Sequence, residues 1–296
     1  MRTHLEVLAE IPAARRAALH LRSDWLGLRH LAGHLAALLI CSLWIALAAP
    51  YWGIVQLPQG LVLVFLFTLQ HECTHETPFA SVQLSRVAGH VIGFLLCNPF
   101  IWFRYFHLAH HRHTNDPARD PELLSGCKPE TWAGFLWHVS GLPLWAGMFK
   151  LVLRNAWQPE AQVYLPARAM GRMQREARVI LLGYAVVLTS LLWSDLALWL
   201  WLIPALIGQP FLRIYLLAEH GRCAAVANML ENTRTTYTVR LVRWLAWNMP
   251  YHIEHHSVPA VPFHKLPQLH ELMRDDLGVV SEGYAAFTEA YAAQLK

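Results

Sequence analysis

The sequence predicts an all-α integral membrane protein with two transmembrane hairpins, four spans in all, and a cytoplasmic helical cap that holds a histidine-rich metal site. Composition is the first reason. Of 296 residues, 55% are hydrophobic and only 15% charged, with a mean hydropathy of +0.29, whereas a soluble domain is nearer a quarter charged. The second reason is where Lys and Arg fall, and the third is that eight of the eighteen histidines lie in three tight clusters.

The first 30 residues carry five Arg and no apolar core, so they are expected to form a cytoplasmic amphipathic lead-in rather than a cleavable signal. The nearly uncharged run 31–49, stopped by Pro50, predicts the first span, and the run 54–71, through VLVFLFTL, the second. A matching pair follows at 179–193 and 196–218, joined by a tight turn at Ser194 and Asp195. Two further apolar stretches, Val87–Phe103 and Trp132–Leu153, are interrupted by His90, Asn98, Pro99, His138 and Pro143, which fits interfacial or re-entrant helices. No repeat or flexible linker divides the chain, so 1–296 reads as one domain, with histidine-bearing regions at 71–178 and 219–296 and a polar, helix-prone tail from Arg274.

Five Lys and Arg precede the first span, eleven lie between 71 and 178, seven follow Ala218, and Arg213 sits near the end of the fourth span. The two remaining loops have none, which places both termini and the central segment in the cytoplasm, with Arg213 snorkelling that way. The thirteen Trp and nine Tyr suit anchoring at the lipid interface. A net charge of +4, spread over several loops, gives no basic stripe for nucleic acid. Cys41, Cys73, Cys97, Cys127 and Cys223 form no CxxC pair, so neither a disulfide framework nor a thiolate metal site is expected.

The histidine clusters are His71-Glu-Cys-Thr-His75, His107-Leu-Ala-His110-His111 and His252-Ile-Glu-His255-His256. All three fall on the same predicted side. On a helix, residues three and four apart share a face, so each cluster presents two or three imidazoles in one direction. Two HxxHH motifs arise by chance in roughly one of several hundred sequences with this histidine content. Eight imidazoles exceed what one ion takes with a position left for substrate, so two metals are the natural count. His220, at the end of the fourth span, is a ninth candidate ligand. His113 is expected to point away from the second cluster. His4, His20, His30, His34, His90, His138, His264 and His270 stand alone and read as structural. Asp116, Asp120, Asn232 and Asn248 are candidates to orient ligand rings from behind, or equally turn and cap residues.

These motifs resemble the membrane fatty acid desaturase/hydroxylase superfamily, marked by histidine boxes HxxxH, HxxHH and HxxHH flanking two transmembrane hairpins. The boxes here are HECTH, HLAHH and HIEHH. The likeness runs from about Leu69 to His270 and includes Asn248-Met-Pro-Tyr-His252, Pro259-Ala-Val-Pro262 and Leu266-Pro267. It implies a non-haem di-iron centre of two Fe ions at the cytoplasmic face, with His220 joining the eight box histidines. It also implies O2 as co-substrate in attack on an unactivated C–H bond of a lipid or fatty acyl chain in the bilayer. The chain has no haem-binding cytochrome b5 segment, dinucleotide motif or Cys-ligated cluster, so a separate electron donor of ferredoxin, rubredoxin or cytochrome b5 type is implied.

The ENTRTT stretch and the third box are similar to bacterial acyl-lipid desaturases, which favours desaturation. The second-box context HHRHTNDPARDPE is similar to carotenoid ring hydroxylases and ketolases, and the His71-Glu72 pair resembles alkane monooxygenases, so hydroxylation or ketolation of another lipid stays open. A rival from another class exists because HECTH is also the HExxH zinc-protease signature. A membrane metalloprotease would need one further ligand, would leave both HxxHH boxes unexplained, and has Pro78 where the metzincin extension needs glycine.

Overall fold

The computed structural model describes residues 2–126 and 128–296; Met1 and Cys127 lie outside the described residues. Two short helices, α1 (His4–Glu10) and α2 (Ala13–Leu19), lead in, the first opened by a reciprocal Thr3 and Glu6 capping box. Two long helices follow, α3 (Asp24–Ala46) and α4 (Trp52–His75), the first capped by Ser23. Next come α5 (Val82–Leu95) and α6 (Phe100–Arg112), bent 105° to one another, the short α7 (Pro121–Ser125), and α8 (Trp132–Val139) and α9 (Leu142–Trp157), bent 57°. Helix α10 (Ala167–Ser190) leads through a π-helical turn, Leu198–Leu202, into α11 (Ile203–His220). The remainder is α12 (Met229–Asn232), α13 (Arg240–Leu245), α14 (His252–Ser257), α15 (Leu266–Met273) and α16 (Tyr284–Ala292), with a two-stranded parallel pair, Thr235–Thr236 against Val280–Ser281.

Among the described residues, three helices are long and apolar enough to cross a membrane: Asp24–Ala46, Trp52–His75 and Leu198–His220. The count rises to five if each bent pair is one span. The first thus starts seven residues earlier than the run 31–49, and the second continues past residue 71 through all of HECTH. The run 179–193 occupies only the second half of α10, whose first half carries four arginines, and the helix stops at Ser190. Both interrupted stretches are sharply bent helix pairs: the first breaks at Asn98-Pro99, where proline disfavours a helical residue before it, and the second at Gly141, whose φ of 72° leaves the right-handed helix.

Helices α4 and α11 form the centre of the molecule, and glycine lets them touch. A Cβ on Gly60 would lie 2.2 Å from the Pro204 carbonyl oxygen, and one on Gly208 would lie 2.4 Å from that of Gly60. Small residues on both partners allow this backbone approach. One turn away, Gln56 and Gln59 donate to the carbonyls of Trp199 and Leu200 at 3.0 and 2.8 Å, supplying partners to the π-helical turn inside an apolar surround.

The cap is built by similar pairings. Glu176 of α10 accepts from the backbone N–H groups of Phe100 and Ile101, both at 3.0 Å, and so satisfies the start of the helix carrying the second box. Gln70 and Asn98 exchange hydrogen bonds at 2.8 Å, fixing the α5–α6 break against the end of α4. The C-terminal tail is docked: α16 buries Phe287 and Tyr291 against α11. Arg213 meets the ring of His138 on α8 at 3.1 Å. Cys41, Cys73, Cys97 and Cys223 are free thiols.

Candidate metal centre

Four elements deliver nine imidazoles to one place. His71 and His75 come from the last turn of α4, His107, His110 and His111 from α6, His220 from the last residue of α11, and His252, His255 and His256 from α14. All are buried except the half-buried His75. They divide into two adjoining groups. Donor atoms of His71, His75, His107, His111 and His255 lie within 4.8 Å of one another, as do those of His110, His220 and His256. His252 joins the second group, its Nε2 3.3 Å from that of His220. The stacked rings of His111 and His256, 4.0 Å apart, mark the boundary.

The division differs from the expectation that each box points one way. Consecutive helical residues are rotated by about 100°, so His110 and His111 part company, as do His255 and His256. His107 and His111, four apart, stay together.

Chemistry behind the rings sets their tautomers. His110 Nδ1 lies 2.9 Å from Asp120 Oδ1, His220 Nδ1 lies 3.2 Å from the Asn232 carbonyl, and His256 Nδ1 lies 3.1 Å from Thr114 Oγ1, whose own proton goes to the His110 carbonyl. Each acceptor assigns the ring proton to Nδ1 and leaves a lone pair on Nε2. Yet His110 Nε2 and His220 Nε2 face each other at 3.2 Å. Two facing lone pairs repel unless a cation lies between them, and metal–nitrogen bonds of about 2.1 Å set neighbouring donors at roughly this spacing. Seven further buried ring nitrogens have no partner: both of His71 and His255, Nδ1 of His111 and His252, and Nε2 of His256. Such a set of orphaned donors and lone pairs fits metal ions.

Electrostatics agree. Burial first, and neighbouring histidines after it, push His252, His255 and His256 well below the ordinary imidazole range, which keeps them neutral and able to ligate. Burial would raise the Asp120 carboxyl, but hydrogen bonds from His110 and from the amides of Asn115 and Glu122 hold it below its usual value. Lys128 Nζ donates to the His220 carbonyl at 2.7 Å and Arg234 to that of Ala218 at 2.6 Å, satisfying the end of α11.

Of the four residues expected behind the rings, Asp120 and Asn232 sit there, Asn232 through its backbone carbonyl. Asp116 and Asn248 do not. Asp116 pairs with Arg119 at 2.7 Å and caps its own turn, and Asn248, in the left-handed region at φ 59°, donates to the Phe263 carbonyl. Both serve as the turn residues their Pro- and Gly-like settings allow. His113 caps the end of α6. His270, read as solitary, is bonded to Glu254 inside the third box at 2.5 Å.

Sequence reasoning missed three carboxylates. Glu72 Oε1 lies 3.7 Å from His255 Nδ1, Glu219 Oε1 lies 3.5 Å from His252 Nδ1, and Glu254 ties His270 and Thr235. The signal was present: each adjoins a candidate ligand in sequence and stands in a buried stretch, where a carboxylate requires a partner. The geometry also counts against the zinc-protease reading of Glu72. Its Oε2 is taken by Thr77 and by the amide of Phe263, both at 3.0 Å, and His71 and His75 share their position with three other imidazoles.

Comparison with known proteins shows the family. The chain is similar to a sphingolipid delta(4)-desaturase of Drosophila melanogaster, 27% identical over 78% of this chain and 67% of that protein. It is similar to an sn-1 oleoyl-lipid 12-desaturase of Synechocystis sp., 24% identical over 79% of this chain and 74% of that protein. A third relative is a sphingolipid delta(4)-desaturase/C4-monooxygenase of Rattus norvegicus, 25% identical over 67% of this chain and 58% of that protein. The family model described as fatty acid desaturase matches residues 46–288, which contain all three boxes and His220. The chain is therefore an integral membrane oxidoreductase belonging to the fatty acid desaturase family.

Proposed function

We propose that this enzyme desaturates the acyl chain of a membrane lipid, using O2 and electrons from a separate ferredoxin, rubredoxin or cytochrome b5-type protein. The observation that carries the reading is the division of nine imidazoles into groups of five and four, three of the four with Nδ1 committed to an acceptor. His71, His75, His107, His111 and His255 would hold one iron, and His110, His220, His252 and His256 the other. Such a pair supplies the oxidising power to break an unactivated C–H bond.

The protein's own residues do the rest. Asp120, the Asn232 carbonyl and Thr114 hold the second group in its ligating tautomers. Burial of eight of the nine rings excludes bulk water from an oxidising centre. Phe103 stacks on His107 with ring centres 5.6 Å apart and packs against Phe67 at 5.2 Å. This apolar surface, on the α4 and α6 side of the five-imidazole group, suits a methylene chain rather than a polar substrate.

Two relatives carry complex lipids in their names, one a sphingolipid and one an sn-1 oleoyl lipid, which favours a complex lipid as substrate. Hydroxylation is the second reading, because the rat relative is named as both desaturase and C4-monooxygenase. With Lys and Arg absent from both hairpin tips, four spans would place the termini and the metal site on the cytoplasmic face. The test is metal content per chain after purification in mild detergent, with lipid products analysed by mass spectrometry in the presence of reductant. About two irons per chain and a product two hydrogens lighter are expected. About one zinc and negligible iron after iron supplementation would overturn the reading.

A further inference from the structure

Resting on the di-iron reading above, we propose that Glu72 is a positioning residue that fixes the tautomer of His255. Both side chains are fully buried. Glu72 Oε2 is satisfied by the Thr77 hydroxyl and the Phe263 amide, both at 3.0 Å. Its Oε1 has no hydrogen-bond partner, and neither has His255 Nδ1, 3.7 Å away. These two orphaned atoms face each other.

A buried carboxylate oxygen with one imidazole in front of it accepts that ring's proton as its compensation. With the proton on Nδ1, His255 keeps its lone pair on Nε2, free to serve the five-imidazole group. Glu72 lies in the first box, His255 in the third, and Phe263 in the turn beyond it. The contact therefore fixes the relative position of two boxes as well as one ring.

The glutamate has a chemical consequence that an amide cannot reproduce. In Glu72→Gln the amide oxygen must take the Oε2 place, because Thr77 and Phe263 both donate there. Its NH2 then faces His255 Nδ1, and two donors cannot share a hydrogen bond. The ring is driven to the other tautomer, with its proton on Nε2, where it cannot ligate.

The experiment compares full-length wild type, Glu72→Gln, Glu72→Asp and Asp116→Asn in mild detergent. Asp116 is the control: a carboxylate close in sequence to the second box but bonded to Arg119 and its own turn. Iron titrations followed by Mössbauer spectroscopy should show one of two iron sites weakened about 10–100-fold in Glu72→Gln, partial recovery in Glu72→Asp, and both sites intact in Asp116→Asn. Nitrogen-15 NMR of labelled histidine in the chelated wild type should show the His255 proton on Nδ1, independently of any metal. Unchanged iron affinity in Glu72→Gln, the same loss in Asp116→Asn, or a wild-type proton on Nε2 would each overturn the proposal. If Glu72→Gln does not fold, the wild-type tautomer decides alone. Wild type that binds no iron pair, yet keeps the Nδ1 proton, would sink the di-iron reading and leave the Glu72 contact standing.

Discussion

His110 and His111 are consecutive residues that serve different imidazole groups: His110 Nε2 lies 3.2 Å from His220 Nε2, and His111 Nε2 lies 2.9 Å from His107 Nε2. The same division recurs at His255 and His256. An HH pair on a helix is thus a way to bring one segment to two neighbouring metal positions at once. It explains why two boxes end in HH, whereas the first, whose histidines are four apart, serves a single group.

His110→Ala and His111→Ala should therefore fail differently. Each is expected to lower turnover at least 100-fold, but His110→Ala should deplete the iron held with His220, and His111→Ala the iron held with His71 and His75. Mössbauer spectra of the two variants would show which site is lost. Identical residual spectra would contradict the division into two groups.

Asp120→Asn should reduce iron affinity or activity by about 10–100-fold, since the carboxylate orients His110. The N-cap of α7, where Asp120 accepts from the amide of Glu122, should survive the change, because Asn caps a helix as well as Asp. Asp116→Ala should leave iron content and turnover at wild-type levels. An equal effect of both substitutions in metal analysis and lipid product assays would show that the Asp120 contact has no special role.

At the helix crossing, Gly60→Ala and Gly208→Ala each add a methyl where a backbone oxygen already lies within 2.4 Å. The helices must separate, at a cost of about 1–3 kcal/mol. Thermal unfolding in detergent should show both variants less stable than wild type, whereas Gly53→Ala, with nothing within 4 Å of the added methyl, should not lose stability by overpacking.

Sidedness has its own test. Single cysteines placed at Ser194 and Gln294 of a cysteine-free background should label from opposite sides of sealed vesicles if both hairpin tips lie opposite the termini. Labelling from the same side would require a different number of crossings.

Much of the histidine cluster was legible because its spacing obeys local rules. The HxxxH and HxxHH spacings are written by helical periodicity, and the apolar runs predicted α3, α4 and α11. The supporting shell was less so. Asp120 and Asn232 were among four equal candidates, and nothing local distinguished them from Asp116 and Asn248, which have the same turn chemistry. Glu72, Glu219 and Glu254 were passed over because their partners are distant in the chain.

By itself, then, the sequence determined the helical class, the long apolar segments and the clustered histidines, since hydropathy, charge placement and residue spacing are properties of short segments. Tertiary structure alone decided how those histidines divide, which acceptors stand behind the rings of His110, His220 and His256, and how closely α4 and α11 approach. Those outcomes depend on where helices cross and on the rotation at which each presents its side chains. A buried lone pair or carboxylate is satisfied only by a partner that folding brings to it.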